Sequence, residues 1–157
     1  MSITPAAVRV MLHRCGLSQT EAANFVEVQD RTVRRWLDGT LSPGPDKWGA
    51  LVELCARQDR AADEAVEQIK AAMKELGKRP DQIAIRVART QEDADVLGWP
   101  CVGAHVALVR RVMERAPKGI VIAPVHPGES EAADAAAARR TETKKTPADP
   151  MKGSGRV

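Results

Sequence analysis

Only four of the 157 residues are aromatic, Phe25, Trp36, Trp48 and Trp99, and this scarcity limits what the chain can fold into. A core without aromatic bulk must be assembled from Ala, Val, Leu, Ile and Met, side chains that suit helix-on-helix packing. The length allows one domain of ordinary size or two small ones. The longest apolar runs, Val106–Val109 and Ile120–Val125, fall far short of the roughly 18 residues a membrane span needs. No signal peptide is expected, because the opening Met-Ser-Ile-Thr-Pro lacks a basic-then-apolar arrangement. Cys15, Cys55 and Cys101 are odd in number, widely spaced and without a CxxC pair. A disulfide scaffold is therefore not expected, and a reducing cytoplasm is the default location.

Net charge is only +3, but its distribution is uneven. Lys and Arg stand against Asp and Glu as 6 to 5 in residues 1–47 and 4 to 6 in 48–77. The balance is 8 to 5 in 78–118 and 6 to 5 in 119–157. An N-terminal nucleic-acid contact would thus rest on a few placed arginines, not on a polybasic arm.

Residues 4–57 read as short helices. Thr4-Pro5 caps and starts the first, which carries Val8, Met11, Leu12 and Cys15 at helical spacing and stops at Gly16. Ser18-Gln19-Thr20-Glu21 has the form of a capping box and opens a second helix with Ala22, Ala23 and Val26 inward. After Glu27-Val28-Gln29 a third runs to Asp38, with Val33, Trp36 and Leu37 on its inner face and Gly39 as its stop. The stretch 40–45 is a connector. A fourth helix begins near Asp46 with Trp48, Leu51, Leu54 and Cys55 inward. A further helical stripe, Ala62 to Leu76, follows with no breaker to decide whether it is continuous with the fourth.

Beyond Gly77, residues 82–89 alternate as a strand with Ile83, Ile85 and Val87 on one face. Thr90 caps a short helix through Val96. Val102 to Arg115 reads as a helix with Val102, Val106, Val109 and Met113 inward, and 119–125 as a second strand. From His126 onward, apolar residues larger than alanine almost vanish, so 126–157 is expected to be a disordered tail, with a transient helix at Ala132–Arg140. The expected fold is mainly α with a small α+β part. Residues 1–76 form a helical DNA-binding domain with a linker helix, and 77–125 an α+β dimerisation domain.

Leu17 to Gly39 is the most informative stretch. Two short helices, a turn of about four residues, Ala23 at the crossing and an apolar pair at Val28 and Val33 make a helix-turn-helix. With Val33, Trp36 and Leu37 inward, the outer face of the second helix carries Asp30, Arg31, Arg34 and, at its edge, Arg35. Gln29 stands at its N-terminus. Arginine pairs bidentately with guanine, glutamine with adenine, and aspartate accepts from cytosine, so Gln29, Asp30, Arg31 and Arg34 are the candidate base readers. Arg35 is a candidate backbone contact, or it snorkels beside Trp36. Arg14 and Lys47 are candidate flanking phosphate contacts.

At these residues the chain resembles the phage-repressor-like (Xre-type) helix-turn-helix regulators, through residues 16–23 (GLSQTEAA) and 32–39 (TVRRWLDG). The resemblance implies that Gln19 holds a backbone phosphate and that Gln29, Asp30, Arg31 and Arg34 face bases. Two departures stand out. Glu27 occupies the turn position where the family usually has glycine, and Gln29 replaces the usual Ser or Thr cap. Residues 77–80 (GKRP) and 96–99 (VLGW) also resemble the C-terminal half of YdiL-like regulators, which include anti-CRISPR-associated repressors of phages and mobile elements. That implies a C-terminal dimerisation module and repression of the protein's own operon.

A dimer has independent support, because two reading heads on a palindromic operator roughly double the discrimination. Trp99, Val106 and Val109 are the candidate dimer contacts, although Trp99 also suits a core position or a stacking platform. Cys101 and His105, four apart, have a spacing that can bind metal, but no second ligand pair accompanies them, and a buried thiol with an incidental histidine is the reading preferred. No catalytic motif is visible, so no enzyme, metal or cofactor is expected. Lys78, Arg79, Arg86, Arg89, Arg110, Arg111 and Arg115 make an RNA-binding translational regulator one alternative, and an antitoxin-like interaction module another. The expectation is a cytoplasmic, homodimeric transcriptional repressor on double-stranded operator DNA.

Overall fold

Local capping chemistry sets most of the element boundaries. In the computed structural model, which describes residues 3–77, 82–118 and 121–125, Thr4 Oγ1 accepts from the Ala7 amide at 3.2 Å. It thereby starts α1 (Pro5–Cys15). Ser18 and Glu21 exchange both bonds of a capping box, at 3.2 and 2.8 Å, and open α2 (Gln19–Phe25). α3 (Asp30–Asp38) ends at a left-handed Gly39. α4 (Pro45–Leu76) is one uninterrupted helix of 32 residues, about 48 Å long, so the two helical stretches expected on either side of Gln58–Arg60 are continuous. β1 (Gln82–Arg86), α5 (Gln91–Val96), α6 (Val102–Arg115) and β2 (Val121–Val125) follow. Thr90 caps α5 with a second capping box. The described residues are mainly helical, as expected.

β1 and β2 pair in parallel, in a register that places Gln82 opposite Val121 and Arg86 opposite Val125. Parallel neighbours need a crossover, and α5 with α6 supplies it. β1 ends at Arg86, three residues short of the expected end. Val87 and Ala88 remain buried, but the Ala88 amide leaves the ladder and donates to His105 Nδ1 at 3.0 Å.

The main core joins both halves of the chain. Val8, Leu12, Cys15, Ala22, Ala23, Val26, Val33, Trp36, Leu51 and Leu54 pack in one cluster with Trp99, Cys101 and Ala104. A second cluster, Ala62, Val66, Ile69 and Val112, continues along α4 and α6. Position 76 closes α4, and α6 then folds back against both α4 and α1, so the described residues belong to one compact unit. α1 and α6 meet at Gly16 and Gly103, where a Cβ on Gly103 would run into the Gly16 carbonyl. Only glycine permits that approach.

This close approach corrects the inner face expected for α6. Val109 is buried, but Val106 is 44% and Met113 48% exposed, and the face turned inward instead carries Ala104, His105, Arg111 and Val112. Small residues let α6 draw near α1, and the larger Val106 and Met113 are left on the outer side. Lys78, Arg79 and the segment 126–157, including Ala132–Arg140, lie outside the described residues.

Candidate nucleic-acid interface

α2 and α3 pack through Ala22, Ala23, Val26 and Val33, and the short connection between them is held by the Val28 amide donating to the Ala23 carbonyl at 2.9 Å. Glu27 in that connection is the non-glycine residue with positive φ, 54°, among the described residues. The left-handed turn is thus made at a position with a Cβ, at a cost of about 1 kcal/mol. Glu21, in the cap of α2, is held below its ordinary carboxylate range. Burial opposes this, but hydrogen bonds from Ser18 and from the Cys101 thiol outweigh it.

Two side chains brace α2 to α3. Thr20 Oγ1 donates to Asp30 Oδ2 at 2.9 Å, and Gln19 Nε2 donates to the Asp30 carbonyl at 3.2 Å. Asp30 and Gln19, read from sequence as a base reader and a phosphate contact, are therefore tied to each other's helices here. Sequence reasoning misses Thr20, because its partner lies ten residues away.

The remaining candidates stand where the helical period places them. Val33 and Trp36 are buried, and Asp30, Arg31, Arg34, Arg35 and Asp38 share the exposed side of α3. The guanidinium groups of Arg31, Arg34 and Arg35 have no ion pair among the described residues. Gln29 is the N-cap residue, but its exposed side chain makes no capping bond. At the other end of α3, Arg9 of α1 donates to the Leu37 carbonyl at 3.0 Å, another contact that the sequence does not signal.

Lys47 is half-buried in the first turn of α4. Arg14 is paired with Asp59 of α4 at 2.9 Å, on the side of α1 that faces α6. Trp99 is buried in the chain's own core, with Arg57 stacked 4.4 Å from its ring centroid and bonded to the Gly98 carbonyl. Of the three candidate dimer contacts, Trp99 and Val109 are filled by intrachain packing, and Val106 faces solvent.

Cys101 and His105 have their polar atoms engaged: Cys101 Sγ caps α6 by accepting from the Ala104 amide, and His105 Nδ1 accepts from Ala88. Burial pushes the His105 pKa down, so the ring is neutral with its proton on Nε2. Burial also pushes the Cys15 thiol up to about 12 and raises that of Cys101, so both stay protonated.

The C-terminal arginines divide. Arg111 is only 7% exposed and donates to Asp59, to the carbonyls of Ala107 and Arg14, and to Cys55 Sγ. Arg115 binds Asp59 and Asp63, whereas Arg110 is exposed and pairs with Glu114. Arg111 is thus a structural cation, at the C-terminal end of α1 where the helix dipole favours positive charge. No family model matches the chain, and no curated protein is significantly similar to it in sequence.

Proposed function

We propose that this protein is a sequence-specific double-stranded DNA-binding transcriptional repressor that uses α2, the turn at 26–29 and α3 as a helix-turn-helix. The observation that carries this reading is the exposed face of α3, where Arg31, Arg34 and Arg35 stand without ion-pair partners among the described residues, beside Gln29 at the helix N-terminus. In such dockings the second helix lies in the major groove and its N-terminal residues reach base edges. Gln29, Asp30, Arg31 and Arg34 read bases, and Arg35, Gln19 and Lys47 hold the backbone. The Thr20–Asp30 and Gln19–Asp30 bonds set the angle between the two helices and so pre-position the reading residues.

The protein acts as a homodimer on a palindrome, because one helix reading three or four base pairs supplies too little discrimination. Val106, exposed together with Met113 on α6, is the apolar surface that supports a second copy. Its regulatory target is its own operon, as in the regulators it resembles. A salt-titrated gel shift on the DNA immediately upstream of the gene tests the reading. Wild type should prefer that duplex over random DNA, and Arg34→Ala should lose about 1–3 kcal/mol of that preference. Equal binding to both duplexes by the wild type contradicts autoregulation.

A further inference from the structure

A cleft between α1 and α6, floored by Asp59 of α4, is about 480 Å³ in volume. Five arginines line it, Arg9 and Arg14 from α1 and Arg110, Arg111 and Arg115 from α6, against the carboxylates of Asp59 and Glu114. Even with Asp63, which pairs with Arg115, added to the acidic side, two positive charges remain uncompensated. His13, Val10 and Ala107 complete the wall.

Asp59 organises these cations. Its Oδ2 takes Arg14, and its Oδ1 takes both Arg111 and Arg115. Burial favours its protonated form, but the hydrogen bond from Arg115 and the charges of Arg111 and Arg14 outweigh that and hold its pKa below the ordinary value. With both oxygens occupied, Asp59 fixes the forks, and its single negative charge offsets only one of the three arginines it holds. Among the described residues, Arg9, Arg14 and Arg110 each spend a single N–H, on Leu37, Asp59 and Glu114 respectively. A guanidinium has five N–H donors, so most of theirs remain open. The side chains of Arg14 and Arg110 are 57% and 66% exposed, which leaves them accessible from solution.

We infer that this cleft binds a small phosphate-type polyanion carrying two or more negative charges, such as a pyrophosphate group or the phosphates of a nucleotide. Guanidinium forks match phosphate oxygens bidentately, and the surplus of positive charge matches that valence. The volume falls in the range of small-molecule sites. Nucleic-acid backbone offers the same phosphate chemistry but needs cations spread along a strip, one charge per roughly 3.4 Å of strand. Here three arginines converge on one carboxylate instead.

Isothermal titration of inorganic pyrophosphate into the full chain tests the site without any DNA, so its outcome is independent of the repressor reading. One saturable site per chain is expected, weakened about tenfold in each of Arg14→Gln and Arg110→Gln. Arg60→Gln, which changes an exposed arginine paired with Glu53 outside the cleft, should bind as wild type does. Melting curves report whether each variant folds. Among the described residues Arg110 pairs only with exposed Glu114, so its variant carries the test should Arg14→Gln lose stability. Absence of saturable binding, or binding indifferent to Arg110, overturns the inference. So does a result in which single-stranded nucleic acid, but not pyrophosphate, depends on Arg110, since the cleft would then be a backbone contact.

Discussion

His105 shows how one buried side chain makes stability depend on pH. Its Nδ1 accepts from the Ala88 amide, and burial lowers its pKa below the ordinary 6.5. The unfolded chain therefore binds the proton more readily than the folded one, so the contribution is complete above pH 6.5 and is lost as pH falls from there toward the folded value. Denaturant midpoints measured from pH 8 to pH 5 should decline below about 6.5, and His105→Asn, which keeps an acceptor but does not titrate, should flatten that step. Asp59 adds a separate loss at lower pH. Its depressed pKa gives stability that is complete above the ordinary carboxylate value of 3.8 and vanishes as pH falls toward the folded value. Neither role is legible in the sequence. The i, i+4 spacing of Cys101 and His105 is visible there, but the Ala88 amide that occupies His105 is seventeen residues away.

Among the elements, those with local chemical signals are readable and those placed by distant neighbours are not. Thr4, Ser18 and Thr90 announce their helices because a hydroxyl cap acts within three residues, and each makes that bond. The inner face of α3 is readable because Val33 and Trp36 repeat at helical spacing within nine residues. α6 deceives, because its valines and methionine outline an apolar stripe, while Gly16, 87 residues earlier, selects the Gly103–Ala104 side for contact. Within the α2–α3 unit, Glu27 carries left-handed strain. Glu27→Gly should stabilise the chain by about 0.5 kcal/mol or less in equilibrium unfolding, because the relieved Cβ clash exceeds the added chain entropy only slightly. A β-branched replacement such as Glu27→Val should destabilise it instead.

In the folded unit taken as a whole, the α1–α6 contact joins residues from both ends of the described chain into one core. Gly103→Ala forces a methyl against the Gly16 carbonyl, a backbone atom that cannot swing aside. A loss of about 3 kcal/mol is expected, with a single cooperative transition retained because α6, α4 and α1 share their packing. Two transitions would show instead that the N-terminal helices fold independently of α6. This shared core also sets the neighbours Arg110 and Arg111 in different surroundings. Arg111 is drawn inward to Asp59, 52 positions earlier, while Arg110 stays exposed, a division that charge counting along the chain does not reveal.

The central claim is that the outer face of α3 reads DNA sequence, and selection from a pool of randomised duplexes tests it with no operator specified in advance. Wild-type protein should enrich a palindrome with two half-sites about one helical turn apart. Arg34→Ala should enrich the same palindrome with one base pair in each half-site relaxed, a loss of about 1–3 kcal/mol at that position alone. Failure of the wild type to enrich any sequence, or an Arg34→Ala motif identical to that of the wild type, would contradict the assignment of α3 as the reading helix.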